Sequence, residues 1–209
     1  MNPNTVQIDA ATLTKLQSWQ ERSETMSDII TAAPLRALSA TLDRDDPVPE
    51  DGSAVPALWH WLYFLPHARQ SEIGPDGHPR RGGFLPPVPL PRRMWAGGRL
   101  RWEADNPLRL GQEVQRISTI RSVQHKTGRS GELLFVLVEH QFLNHDGLAL
   151  VEEHDIVYRA AARPGDPVPP PQQPPLAGQA AWSRSIVPDD VLLFRYSALT
   201  FNGHRIHYD

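Results

Sequence analysis

Hydrophobic and polar positions alternate as they do in β-strands over most of residues 98–158. The pattern predicts four strands, which lie within residues 99–103, 112–123, 133–143 and 148–158. The last two runs are long and mostly apolar. They are separated by Asn144-His145-Asp146-Gly147, whose Asp-Gly pair is typical of a hairpin turn. We therefore expect an antiparallel meander in this part of the chain.

A helical pattern precedes these strands, over residues 31–42. Apolar residues recur there at helical spacing, at Leu35, Leu38 and Leu42. Thr31 can cap the helix, and Pro34 fits its first turn. One long helix followed by an antiparallel sheet predicts a protein of the α+β class.

Three other stretches give weaker predictions. Residues 12–30 are predicted as a helix, or a helix with a loop, from the spacing of Leu13, Leu16 and Trp19. The aromatic run 58–65 suits a strand or a buried segment. Residues 67–93 contain several glycines and prolines and are expected to form a long irregular stretch, which is often functional in a compact domain.

Prolines divide the chain near its C-terminal end. Residues 163–178 contain seven prolines and few apolar residues, so an extended linker is expected. Residues 182–186 then alternate like a first strand. We therefore predict an N-terminal domain over residues 1–162, a linker over 163–180, and the start of a second, incomplete domain over 181–209.

Composition excludes several classes of function. Hydrophobic residues make up 40% of the chain, while a net charge of −3 and a pI near 6.3 argue against binding to nucleic acid or to an anionic membrane surface. The sequence has no cysteine, which excludes disulfides and thiolate chemistry. It shows neither a secretory signal nor an apolar run of about 18–20 residues, so we expect a cytoplasmic protein.

Groups capable of proton transfer are concentrated in residues 201–209, directly after an apolar run. The candidate site residues there are Asn202, His204, Arg205, His207 and Asp209. Histidine titrates near neutral pH and is therefore suited to general acid–base catalysis. This segment is the main functional candidate of the sequence.

The segment resembles the Asp-x-Asn-Pro-Ile/Val-His-x-Asp/Glu signature of MaoC-like hydratases and dehydratases. His207 occupies the position of the catalytic histidine, and Asp209 that of the trailing carboxylate. Asn202, His204 and Arg205 depart from the signature. An amide can orient a water molecule but cannot accept its proton. The resemblance therefore implies that His207 is the general base and acid and that Asn202 positions the water, while His204 and Asp209 tune the pair.

A second stretch strengthens the resemblance. Residues 77–98 are similar to a loop of the FAS1-like dehydratase domain family, which includes mesaconyl-C4-CoA hydratase-like and hydroxyacyl-thioester dehydratase type 2-like proteins. The resemblance covers residues 12–209 and implies a double hot dog, in which each unit is a long helix wrapped by an antiparallel sheet. The helix 31–42 and the sheet 99–159 would form the first unit. The second would continue beyond Asp209 into the helix that supplies a backbone N–H to the thioester oxygen, so little activity is expected of the isolated chain.

The resemblance further implies the reversible hydration of a short or branched 2-enoyl-CoA to the 3-hydroxyacyl-CoA. Arg205, Arg92 and Arg93 are the expected substrate contacts, because arginine suits bidentate binding of phosphates. Coenzyme A is the substrate carrier, and no metal or redox cofactor is implied. We expect no nucleic-acid or membrane partner, and either a homodimer or association through the incomplete second hot dog.

Alternatives remain open from the sequence. Residues 201–209 could be an ordinary polar loop, or His204 and His207 could bind a metal, although no third ligand is evident nearby. The protein could also be a non-catalytic acyl-CoA-binding hot dog, or a hot-dog thioesterase.

Overall fold

A computed structural model describes residues 7–128, 131–161 and 181–205. Its centre is a five-stranded antiparallel sheet with the strand order β1-β3-β4-β5-β2. The strands are β1 (Ser23–Ile29), β2 (Arg92–Trp102), β3 (Glu113–Gly128), β4 (Gly131–Asn144) and β5 (Gly147–Arg159). The four strands predicted from alternation all correspond to observed strands, with Glu103 and Gln112 each one residue outside, and the predicted turn after Asn144 joins β4 to β5. The α+β class is therefore confirmed.

Strand β1 was not predicted, because its residues were included in the helix 12–30. The observed helix α1 ends at Gln17. Residues 23–29 instead pair with β3, from Ser23 opposite Thr119 to Ile29 opposite Glu113. Most of β1 is exposed on both faces at the edge of the sheet, so its apolar residues show no strand period. The pairing with β3, rather than local pattern, decides its conformation.

The described residues form three α-helices, namely α1 (Ala10–Gln17), α2 (Ala32–Thr41) and α3 (Asp190–Leu199), of which α3 contacts α2. Helix α2 agrees with the predicted helix 31–42, and Leu35 and Leu38 are buried as its stripe requires. Thr31 is the N-cap residue, but its side chain makes no capping hydrogen bond. Helix α3 begins after Asp189, whose carboxylate accepts the N–H of Leu192 at 2.8 Å.

The aromatic run 58–65 is partly buried, with Leu58 and Trp61 exposed, and it is not a strand. Residues Trp59–Leu62 form a short 3₁₀ helix. Leu58 and Phe64, on either side of it, have positive φ angles of 73° and 57°, which interrupt any extended conformation. The run therefore bends across the sheet and buries His60, Leu62 and Tyr63 against it.

The core covers one face of the sheet in two clusters. The first surrounds α2 and includes Ile30, Leu38, Phe142 and Leu150. The second lies beneath α1 and the proline-rich loop, and includes Leu16, Leu90, Ile120, Val136 and Ile156. Between them the same face carries polar side chains, with Ser118 opposite His140 and His140 opposite Glu152.

The prediction of a strand at 182–186 is wrong. Residues 183–189 have no regular structure, and the Arg184 guanidinium donates to the Leu42 carbonyl at 2.9 Å. Alternation alone does not make a strand, and residues 182–186 pair with none of the described strands. The predicted linker lies outside the described residues, and the division into two domains stays a prediction.

Within the described part of the chain, every helix is too short or too polar to cross a membrane.

Candidate functional site

A small loop lies before β2 in the chain and carries two titratable side chains. An isolated bridge between Ile73 and Pro79 closes it, and the Gly74 N–H donates to the His78 carbonyl at 2.8 Å. At its tip, the Asp76 carboxylate accepts the backbone N–H of His78 at 3.2 Å and lies 3.3 Å from His78 Nδ1. We call residues 73–79 the His78 loop. Its hydrogen bonds fix the orientation of the His78 imidazole.

The motif segment, residues 200–205, follows α3 and turns sharply. The Asn202 N–H donates to the Ser197 carbonyl at 2.8 Å, so the turn continues from the last turn of the helix. The Asn202 side-chain oxygen accepts the His204 N–H at 3.0 Å. The amide that departs from the family signature therefore also shapes the backbone of the motif.

The motif segment packs against the His78 loop. The Arg205 N–H donates to the Asp76 carbonyl at 3.0 Å, and the imidazoles of His78 and His204 stack with their centroids 4.0 Å apart. Three of the five predicted residues, Asn202, His204 and Arg205, are thus brought together with a loop far away in sequence. His207 and Asp209 lie outside the described residues.

A cavity of about 770 Å³ opens between the His78 loop and α3. Apolar side chains provide most of its lining, among them Ile73, Phe194 and Phe201. Its polar lining side chains are those of Gln70, His78, Arg93, Ser197, Thr200 and Asn202. A concave, mostly apolar site with a few converging polar groups is typical of a small-molecule pocket.

The electrostatics of the pocket favour a neutral imidazole. Burial lowers the pKa of His78, and the nearby His204 and Arg93 lower it further, against an opposing effect of Asp76. Burial alone would raise the pKa of Asp76, but its hydrogen bonds from His78 outweigh that effect and lower it. At neutral pH the pocket thus presents an uncharged histidine that can accept a proton.

The predicted arginines differ in their positions. Arg93, the second residue of β2, lines the pocket, whereas Arg92 pairs with Arg159 across the sheet and does not line it. Arg205 contributes its backbone N–H to the loop contact and also does not line the cavity. Arg93 is therefore the arginine best placed to meet a ligand there.

Asp76 and His78 were not among the predicted site residues. His78 falls within the loop resemblance, residues 77–98, and Asp76 within the irregular stretch 67–93. The available signal was the sequence Asp76-Gly77-His78-Pro79, which places a carboxylate and an imidazole on one tight turn. The contact between the His78 loop and the motif segment brings them to the site, and a local sequence pattern does not predict such a tertiary contact.

A second polar group lies on the covered face of the sheet, away from the pocket. His60 Nε2 lies 3.2 Å from one Glu152 oxygen, and the Trp61 indole N–H donates to the other at 3.0 Å. His140 Nδ1 lies 2.8 Å from the Ser118 hydroxyl. Burial, with a further effect of nearby charges, lowers the pKa of His140 to about 4. These side chains are hydrogen-bond partners of one another inside the fold.

Among the described residues, no three His, Asp or Glu side chains are grouped closely enough to hold a metal ion. The metal pair proposed for His204 and His207 includes a residue outside this part of the chain.

Comparisons with known proteins agree with these features. The sequence matches the family described as hydroxyacyl-thioester dehydratase type 2 over residues 58–209. It is 51% identical over 195 residues to mesaconyl-C(4)-CoA hydratase of Chloroflexus aurantiacus, covering 92% of this chain and 67% of that protein. It is 26% identical over 212 residues to the mitochondrial hydroxyacyl-thioester dehydratase type 2 of Schizosaccharomyces pombe, covering 88% of this chain and 69% of that protein.

Among solved structures, one described as a MaoC-like dehydratase superposes with a TM-score of 0.55 at 12% identity. It covers 93% of this chain and 70% of the other. At this identity the likeness speaks for the fold alone, and it confirms the predicted hot-dog architecture.

Proposed function

Because the chain belongs to the hydroxyacyl-thioester dehydratase type 2 family, we propose that it catalyses the reversible hydration of a 2-enoyl-CoA to the 3-hydroxyacyl-CoA. The observation that supports this most is the packing of the motif segment on the His78 loop. It places Asn202 at the wall of a largely apolar pocket, with His204 stacked on His78 beside it. The names of the relatives favour this reaction over thioester hydrolysis and over binding without turnover.

The reaction needs three actions. The oxygen of a water molecule must add to the β-carbon, a proton must reach the α-carbon, and the thioester oxygen must be stabilised while it carries charge. We assign the proton transfers to His207, by its position in the sequence motif. Asn202 would hold the water, and His204 and Asp209 would orient the reacting pair.

The substrate proposal follows the relative of 51% identity. We propose a short, branched 2-enoyl group carried on coenzyme A, with Arg93 as the main arginine contact and Arg92 and Arg205 as secondary ones. Hydration changes no oxidation state overall, and acid–base side chains suffice for it, so we propose no redox cofactor and no metal. A cytoplasmic location and a homodimer, or association through residues 181–209, complete the proposal.

The test is an absorbance assay. Purified chain is mixed with mesaconyl-C4-CoA or crotonyl-CoA, and loss of the conjugated thioester absorbance is followed. Because little activity is expected of the isolated chain, we expect a slow loss that disappears in His207→Ala and persists in His145→Ala, since His145 lies in the exposed turn between β4 and β5.

Other results would support the rivals. Release of free thiol without hydration would indicate a thioesterase. Binding of acyl-CoA without either reaction, in the chain and the His207→Ala variant alike, would indicate a binding protein.

A further inference from the structure

The pocket has an unbalanced charge. Of the described residues that line it, Arg93 has a permanent charge, His78 is the other ionisable group, and no carboxylate is included. Such a pocket is apolar over most of its wall and cationic at one point. A ligand that fits it is itself apolar with one anionic group.

Among the described residues, the surroundings of Arg93 supply no such anion. Within residues 7–128, 131–161 and 181–205, no carboxylate lies within ion-pair distance of its guanidinium. The positive charge of Arg93 acts to lower the pKa of three neighbouring groups, namely His78, His154 and the Tyr158 hydroxyl. By contrast Arg99, six positions along the same strand, is paired with Glu153 and Asp155. Arg93 is half-buried beside the Tyr158 hydroxyl, and the described residues give its guanidinium no counter-charge, so an anionic group of a ligand would be stabilised there.

We propose that Arg93 binds a second carboxylate of the substrate acyl group, so that the enzyme selects thioesters of dicarboxylic acids. This inference rests on the proposed function and names its substrate class. In a mesaconyl-C4 thioester the free carboxylate is attached to the β-carbon, which is the carbon that water attacks. A guanidinium on that carboxylate would fix the β-carbon relative to Asn202, which lines the same pocket.

The ion pair between Arg93 and the substrate carboxylate would also affect the addition of water. An unpaired carboxylate beside the β-carbon repels the incoming oxygen, which carries developing negative charge. A fork of N–H donors on the carboxylate reduces this repulsion. Arg93 would therefore act as a specificity-determining residue with an influence on rate.

The test uses two saturated thioesters that cannot be hydrated. Succinyl-CoA and butyryl-CoA differ by a carboxylate in place of a methyl group on the β-carbon. Calorimetric titration of the purified chain should show succinyl-CoA binding about 30-fold more tightly. In Arg93→Gln the two affinities should agree within about threefold, because the ion pair is lost. Arg93→Lys should keep part of the preference, since it retains the charge without the fork.

Arg101→Gln is the matched control. Arg101 lies on the same strand, its side chain is 72% exposed, and its nearest carboxylate is that of Glu103 at 3.9 Å. This variant changes the net charge equally and should keep the preference for succinyl-CoA. Thermal melting of all variants establishes that each is folded, and a folded Arg93→Lys variant keeps the test valid if Arg93→Gln does not fold.

A second pair of ligands separates the acyl carboxylate from the phosphates of coenzyme A, which are the other source of anionic oxygens. Succinyl-pantetheine and butyryl-pantetheine lack those phosphates, and the protein should prefer the succinyl form by the same factor as for the CoA thioesters.

Equal weakening of the binding of both CoA thioesters by Arg93→Gln, with no effect on the pantetheine pair, would assign Arg93 to phosphate and overturn the proposal. So would equal binding of the two acyl groups, or no binding at all, in the unmodified chain. Hydration of crotonyl-CoA without a succinyl preference would overturn this inference alone and leave the proposed function intact.

Discussion

A Cβ atom on Gly77 would overlap the carbonyl oxygen of Gly203, so the two backbones meet without room for a side chain. Gly77 also has a φ of +85°, which favours glycine. This contact joins the His78 loop to the motif segment, and the hydrogen bond from Arg205 to Asp76 lies next to it. The geometry of the candidate site depends on this approach of two glycines.

Gly77→Ala should therefore separate the loop from the motif segment. We expect loss of hydration activity by at least about tenfold and destabilisation of about 2–3 kcal/mol, because backbone atoms must move apart. Activity assays and urea unfolding provide the two measurements.

Gly52→Ala is the matched control for that substitution. Gly52 has nearly the same φ, +82°, but no atom lies within 4 Å of the added Cβ. Gly52→Ala should lower the free energy of unfolding by about 1 kcal/mol, the cost of a positive φ angle at alanine, and should keep full activity. Equal effects of the two substitutions on activity would refute the role of the glycine contact.

The fold should lose stability in mild acid through His140. Its pKa is lowered to about 4 by burial and by nearby positive groups that include Arg116 and His154. The unfolded chain binds a proton at His140 near pH 6.5, whereas the folded chain does not until pH 4. The free energy of unfolding should therefore decrease as pH falls from 6.5 to 4, by at most about 3 kcal/mol from this group.

The measurement is urea unfolding at several pH values. His140→Gln should flatten the dependence between pH 6.5 and 4, while His145→Gln, in an exposed turn, should leave it as it is. A dependence that survives His140→Gln unchanged would mean that other groups, such as His154, dominate the acid response.

The contrast between β1 and the strands β3 to β5 explains which parts of the fold could be predicted from sequence. The long strands bury every second residue, so their pattern is visible locally. Strand β1 and the segment 182–186 each took a conformation decided by whether a partner strand was available, which local pattern does not contain. Helix α2 was predictable because its stripe faces the sheet.

The candidate site likewise contains residues that could be predicted from the sequence and residues that could not. Asn202 and His204 could be predicted because they lie in one short motif. The participation of Asp76 and His78 could not, because it arises from a contact between residues more than 120 positions apart. Arg93 was predicted as a phosphate contact from its charge, but its position on the pocket wall depends on the register of β2 with β5.

Arg81 should be important for stability rather than for catalysis. Its guanidinium donates to the carbonyls of Val88, at 3.0 Å, Leu90, at 2.6 Å, and Pro91. These bonds hold the proline-rich loop over the second core cluster, which includes Val88 and Leu90.

Arg81→Met should therefore lower the free energy of unfolding by about 2–4 kcal/mol, because it leaves buried carbonyl groups without donors. Arg80→Met, at the exposed neighbouring position, should change it by less than about 0.5 kcal/mol. Comparable losses in urea unfolding would show that charge in the loop, rather than these bonds, is what stabilises it.

Asn202 offers the most direct test of the departure from the family signature. Its side-chain oxygen accepts the His204 N–H, and the same residue lines the pocket. Asn202→Ala should remove both contributions, with a loss of about 1 kcal/mol in stability and about 100-fold in hydration rate.

Asn202→Asp preserves the acceptor for His204 and adds a carboxylate that can take the proton of water. It should therefore retain activity, and the added carboxylate should change its pH dependence. Measuring the rate against pH for both variants decides the matter, because loss of activity in Asn202→Asp as complete as in Asn202→Ala would show that the site requires an uncharged amide.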